Sequence, residues 1–186
     1  MQKLLILNGP PGCGKDTIAA WFAAQYKWNH VEFKARLFAI TRAVYNVSQL
    51  EWNQLYTREL KEKPTPLLNG KSPREALIFV SEHVIKPAYG KQFFGKELAK
   101  GLTDGISICS DGGFIDEVFP CSDLLGVGNV AVIAIEREGC SYDGDSRSYL
   151  PRVGPYHHTA IENNGTLSDA YNAVYQYTKS IGWLDV

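Results

Sequence analysis

The chain has 186 residues, the length of one ordinary α/β domain. Hydrophobic residues make up 45%, enough for a packed core and too many for a disordered chain. Its 19 basic and 20 acidic residues leave a net charge of −1, which argues against a broad basic face for polymeric nucleic acid, while a local group of Arg and Lys can still hold phosphates.

In chain order, the apolar run from Lys3 to Asn8 predicts a buried strand, closed by Gly-Pro-Pro-Gly. An Ala-rich helix follows from Lys15 to Tyr26, and HVEF (30–33) reads as a second short strand. Helical spacing marks 35–47 and 48–60, the latter opened by a Ser48/Glu51 capping box. Residues 61–72 read as a loop. Pro73, with Ser72 as N-cap, opens a helix through Ile85. A short helix is predicted at 95–101, a strand at 106–111, and a helical piece at 115–119 broken by Pro120. The strongest strand is 129–137. A polar segment, 138–156, reads as a mobile loop before a last strand at 157–161 and a closing helix at 167–181. Strands that are continuous apolar runs and alternate with helices predict a parallel sheet of about five strands with helices on both faces, in one domain spanning 1–186.

The four cysteines, Cys13, Cys109, Cys121 and Cys140, show neither C-x-x-C spacing nor a zinc pattern, so reduced thiols and an intracellular, cytoplasmic setting are expected. The N-terminal apolar run is too short for a signal peptide or a membrane span, and no membrane partner is expected.

Gly9-Pro10-Pro11-Gly12-Cys13-Gly14-Lys15 fits G-x-x-x-x-G-K between a predicted strand and a predicted helix, the context in which that motif cradles phosphates. Glycines let the backbone curl so that several N–H groups face one phosphate, the helix N-terminus adds partial positive charge, and Lys15 would bridge the β- and γ-phosphates. Gly12, Cys13, Gly14, Lys15, Asp16 and Thr17 are therefore the candidate ATP-binding residues. Where Ser or Thr usually follows the lysine, this chain has Asp16, a carboxylate suited to Mg²⁺, and Thr17 can donate to the α-phosphate. Asp111 ends an apolar strand and is the second candidate for the metal or for the catalytic centre; the competing reading is an Asp that caps the next helix. Glu117, six residues on, is a weaker candidate for the same cleft.

Transfer to a phosphate acceptor calls for cations outside the loop, because two anions must be held together. Lys34, Arg36, Arg42 and Arg74 are candidates on the acceptor side, as are Arg137, Arg147 and Arg152 in or beside the polar loop, with Arg137 favoured at the carboxyl end of the strongest strand. Phe33, Phe38 and Phe114 could stack on a base, although core packing is the commoner role.

GPPGCGKDT (9–17), SPREAL (72–77), SDGGFIDEV (110–118) and IENNGTLSDAY (161–171) together resemble the bacteriophage deoxynucleoside monophosphate kinases over nearly the whole chain. The resemblance implies a three-layer P-loop kinase fold, ATP as phosphoryl donor with Mg²⁺, and a dNMP acceptor. It also implies Asn164 and Gly165 beside the ATP base, Arg74 in an acceptor-side helix within acceptor-binding helices at about 34–102, Asp111 at the catalytic centre with Lys15 and Arg137, and 138–156 as a lid carrying Arg147 and Arg152. A phage origin would put the protein in the host cytoplasm, and a homodimer is the default oligomer. The sequence departs from the family after the acid. Asp-x-Arg-Phe is common there, and this chain reads Asp111-Gly112-Gly113-Phe114, so either another Arg substitutes or the acceptor differs. A kinase for another small acceptor, such as dephospho-coenzyme A, and an NTP-binding switch without transfer are the competing readings.

Overall fold

A computed structural model describes residues 1–184. The chain forms two compact units, one of Met1–Phe33 with Gly95–Val186 and one of Lys34–Phe94. The first unit is built on five parallel strands, β1 (Gln2–Asn8), β2 (Asn29–Val31), β3 (Gly105–Gly112), β4 (Val130–Glu136) and β5 (His157–Glu162), in the order β2-β3-β1-β4-β5. The expected α/β class and five-stranded parallel sheet are both present.

Alternation along β1 explains why the sheet is covered on both sides. Leu5 and Leu7 join Ile18 and Phe22 of α1 (Lys15–Tyr26) and Val174 of α8 (Leu167–Ser180). Leu4 and Ile6 join Val130 and Val132 of β4 and Val118 of α7 (Ile115–Leu125). All of these side chains are fully buried, and each contributes about 1.5–3 kcal/mol of burial. β1 sits between β3 and β4, so its carboxyl end opens where connections leave in opposite directions, the edge at which such sheets bind ligands.

Two boundaries differ from expectation in the first unit. The strand at 30–33 is Asn29–Val31. The helix from Ile115 runs through Pro120 to Leu125 instead of breaking there. Pro120 is buried against Gly95, where a side chain would collide with the Pro120 ring, and the Cys121 thiol donates to Glu117 O at 3.2 Å and Gly95 O at 3.4 Å. Packing and these bonds offset the lost backbone donor. Burial raises the Cys121 pKa to about 12, so the group stays a thiol donor.

The second unit is helical: α2 (Lys34–Tyr45), α3 (Gln49–Leu55), α4 (Pro73–Phe79), a π-helical run Val80–Ile85, α5 (Lys86–Tyr89) and the start of α6 (Phe93–Lys100). The expected Ser48–Glu51 capping box is present, Ser72 caps α4 as expected and forms a further box with Glu75, and Pro73 holds the first helical position. The helix expected over 48–60 stops at Leu55, since its apolar face ends where Trp52 and Tyr56 stack and Phe38 meets both edges, while Leu60 lies exposed. No helix among the described residues is long and apolar enough to cross a membrane.

α8 begins at a third capping box. Thr166 Oγ1 accepts from Asp169 N, and the Asp169 carboxylate accepts from Thr166 N at 2.9 Å and Thr166 Oγ1 at 2.7 Å. These bonds hold the Asp169 pKa below its ordinary 3.8. A depressed folded-state pKa gives stability that is present above the unfolded value and is lost as pH falls through the folded one. Asp169→Asn is therefore expected to lower Tm at pH 7 and to converge with the unsubstituted chain in melting scans well below pH 3.8. A Tm gap that persists into that acid range would contradict the capping role.

Candidate active site

The loop between β1 and α1 curls because two of its glycines take backbone angles that other residues avoid: φ is +84° at Gly12 and +103° at Gly14. Gly14 is the N-cap of α1 and adds no side-chain cap, so the helix start presents backbone N–H groups alone. Lys15 is 7% exposed, and its Nζ turns into the loop, donating to Gly9 O at 2.6 Å, Pro10 O at 2.8 Å and Cys13 Sγ at 3.5 Å. Burial raises the Cys13 pKa and the Lys15 ammonium partly offsets it. The result is an enclosed ammonium held by loop carbonyls beside the uncapped start of a helix, an arrangement that suits a polyphosphate.

Two neighbours hold this loop. The buried Asn163, just after β5, donates from Nδ2 to Cys13 O at 2.8 Å. Arg137, exposed at the end of β4, donates from Nη1 to Gly12 O at 3.4 Å. Asn164 Oδ1 accepts from Glu138 N at 2.8 Å, tying the segment with Gly165 to the start of the polar loop. Asp16 and Thr17 are exposed in the first turn of α1.

Asp111 lies near the end of β3, one register step from the bulge where Asn8 meets Gly112. It does not cap the following helix: the N-cap of α7 is Phe114, with no side-chain bond. Its Oδ1 accepts from Phe33 N at 2.9 Å and from the Cys109 thiol at 3.2 Å, so the strand-end acid is fixed by its own sheet. Phe114 is 36% exposed, and Glu117 lies in the first turn of α7.

Asn8 is the residue that sequence reasoning missed. It is fully buried at the end of β1, where its Nδ2 lies within hydrogen-bond distance of Gly112 O (3.2 Å), Ser148 O (3.0 Å) and Tyr142 Oη (2.9 Å), and its Oδ1 accepts from Leu150 N (2.7 Å). One side chain thus joins β1, the end of β3 and residues 142–150. The available signal was an Asn closing an apolar strand, a polar group that must find partners wherever it is buried. Arg147 is half-buried in that segment, and its N and Nε both donate to Asp145 Oδ1 at 2.9 Å while Nη2 donates to Oδ2 at 2.7 Å. Those bonds push the Arg147 pKa up. Arg152, 79% exposed, is 3.9 Å from Glu136.

Lys34, Arg36, Arg42 and Arg74 belong to the helical unit. Lys34 opens α2, and Arg36 is exposed on its first turn. Arg42 has a buried Nε with no hydrogen-bond partner among the described residues. Arg74 is exposed and paired with Glu62 at 2.6 Å.

For a divalent ion, Asp16, His30 and Glu32 offer two carboxylates and an imidazole whose ligand atoms lie within 4.8 Å of one another. His30 Nε2 is 2.9 Å from Ser110 Oγ, which orients the ring. This oxygen-rich donor set fits Mg²⁺.

No family model and no curated protein matches the chain. Among solved structures it is similar to TT1252 from Thermus thermophilus, 18% identical, with TM-score 0.50 over 96% of this chain and 97% of that one. It is also similar to a gluconokinase from Sinorhizobium meliloti 1021, 12% identical, with TM-score 0.45 over 96% of this chain and 97% of that one. A sugar kinase from Janibacter sp. HTCC2649 is 11% identical, with TM-score 0.46 over 96% of this chain and 95% of that one. At 18% identity the likeness to TT1252 is one of fold alone.

Proposed function

We propose that the chain is a kinase that transfers the γ-phosphoryl of ATP to the phosphate of a deoxynucleoside monophosphate. The observation that carries this reading is the strand–loop–helix at 8–15, in which Lys15 Nζ lies inside a loop curled at two left-handed glycines. It sits at the carboxyl edge of a parallel sheet, where ligands bind in this architecture.

An incoming triphosphate would exchange the Gly9 and Pro10 carbonyls for its own β- and γ-oxygens at Lys15, with loop N–H groups around the β-phosphate. An oxygen of the acceptor's phosphate attacks the γ-phosphorus in line, the bond from that phosphorus to the β-bridging oxygen breaks, and ADP leaves. The acceptor oxygen is already ionised near neutral pH, so the chain's task is to position two anions and offset their repulsion. Mg²⁺ bound at Asp16, with His30 and Glu32 nearby, would supply charge to the phosphates. Asp111, pinned at one oxygen to Phe33 N, is rigid enough to position that charge or the acceptor. Asn163 and Arg137 keep the loop in shape, while Asn164 and Gly165 would border the ATP base. Residues 138–156 would cover the phosphates as a lid whose middle, 142–150, is already anchored by Asn8.

The test is ADP release in a coupled assay with Mg·ATP and a panel of dNMPs, NMPs, gluconate and dephospho-coenzyme A. Turnover of at least one dNMP on the order of 1 s⁻¹ or faster is expected, in the ordinary range for kinases. Turnover of only a non-nucleotide acceptor would overturn the dNMP assignment, and ATP binding without any transfer would overturn the kinase.

A further inference from the structure

We infer that Arg147 is a fixed phosphate-binding cation beside Asp111, and that Gly113 and Asp145 are its positioning residues: Gly113 by lacking a side chain, Asp145 by clamping the guanidinium. This rests on the kinase reading above and names the group that would receive the acceptor's phosphate within the same unit as the loop.

The fit between positions 113 and 147 carries it. A Cβ at Gly113 would lie 2.7 Å from Arg147 Cβ and 2.8 Å from both Cγ and Cδ, distances that side chains do not adopt. The Arg147 stem therefore occupies the place a side chain at 113 would take, two residues beyond Asp111. Main-chain contacts hold the register: Ser148 N donates to Gly113 O at 3.4 Å, and the buried Asn8 accepts from Leu150 N. The head group is oriented as well. Nε and Nη2 make a bidentate pair with Asp145, using two of the five guanidinium N–H groups and leaving three with a fixed direction. Asp111 lies close enough to add to the field that keeps Arg147 charged. An arginine whose stem and fork are held before a ligand arrives loses little rotamer freedom on binding an anion. The acid at 111 and the cation at 147 thus reach one strand end from segments far apart in sequence, and the Gly at 113 makes room for the exchange.

The test compares Arg147→Ala, Arg147→Lys, Gly113→Ala and the double variant Gly113→Arg/Arg147→Ala. Each is assayed for kcat/KM with the best dNMP at saturating Mg·ATP, for KM of ATP, and for Tm. Arg147→Ala is expected to lower kcat/KM for the acceptor on the order of 100-fold, the size of one lost charge-stabilising donor, with KM for ATP within about threefold. Arg147→Lys stays near Ala because an ammonium cannot make the fork with Asp145. Gly113→Ala, which displaces Arg147 without removing it, gives a loss of the same kind. The double variant, which returns a guanidinium from position 113 into the space Arg147 has left, recovers about tenfold or more over Arg147→Ala.

An active enzyme whose Arg147→Ala form keeps acceptor kcat/KM within a few-fold overturns the assignment. So does a variant that loses its melting transition or impairs ATP and acceptor alike, since Arg147 would then be structural. A wild-type chain that binds Mg·ATP and phosphorylates no small acceptor overturns the kinase reading, and this one with it.

Discussion

Lys15→Met is expected to lower kcat on the order of 10³-fold, about 4 kcal/mol of transition-state stabilisation, while the variant still melts cooperatively. The Lys15 side chain is enclosed, and its ammonium sits where the loop's two left-handed glycines direct the chain inward. Its bonds to Gly9 O and Pro10 O show that Nζ reaches into the loop, where the proposed transfer would build up charge. Met keeps the stem and removes the charge, so packing along α1 survives. Lys15→Arg, too wide for the loop, should be nearly as poor. Steady-state rates with the best acceptor of the panel check both, and a Met variant within about tenfold of the unsubstituted chain would show that the ammonium is not part of the chemistry.

Asn8→Ala is expected to cost about 3–5 kcal/mol of stability, at the top of the range for single substitutions. The side chain is fully buried and serves four partners, and its loss would strand Leu150 N together with the carbonyls of Gly112 and Ser148 away from water. Asn8→Asp should be no milder: its carboxylate can still accept from Leu150 N, but it places negative charge against two carbonyl oxygens. Urea unfolding measures the loss, and proteolysis within 142–150 should accelerate in parallel as that segment comes free. A cost under about 1 kcal/mol would mean that water replaces the amide and that Asn8 does not hold the segment.

The contrast between these two residues explains what was legible in the sequence. The strand, the glycine turn and the helix around 9–15 could be read because the glycines needed for the turn lie between two elements that announce themselves by pattern. β1, β3 and β4 could be read because strands buried on both faces are continuous apolar runs. The Ser48–Glu51 capping box could be read because its partners lie three residues apart. Asn8 could not, since its partners stand 104 to 142 residues away and no local rule connects them. The fit of Arg147 on Gly113 was hidden for the same reason: the sequence displayed a glycine where a related pattern has an arginine, and only the packing shows what occupies the space. Helix boundaries failed where tertiary contacts outweighed propensity. Pro120 survives inside α7 by packing against Gly95, and Val80–Ile85 widens to a π-helix inside an apolar cluster with Phe94.

The measurement that bears most directly on the central claim is a calorimetric titration of the unsubstituted chain with Mg·ATP. One saturable site per chain, with Kd between about 1 μM and 1 mM and weakened at least tenfold in the Lys15→Met variant, is the expected result. No heat and no thermal shift at millimolar Mg·ATP would contradict it, and a phosphate-binding role for the loop at 9–15 would be lost.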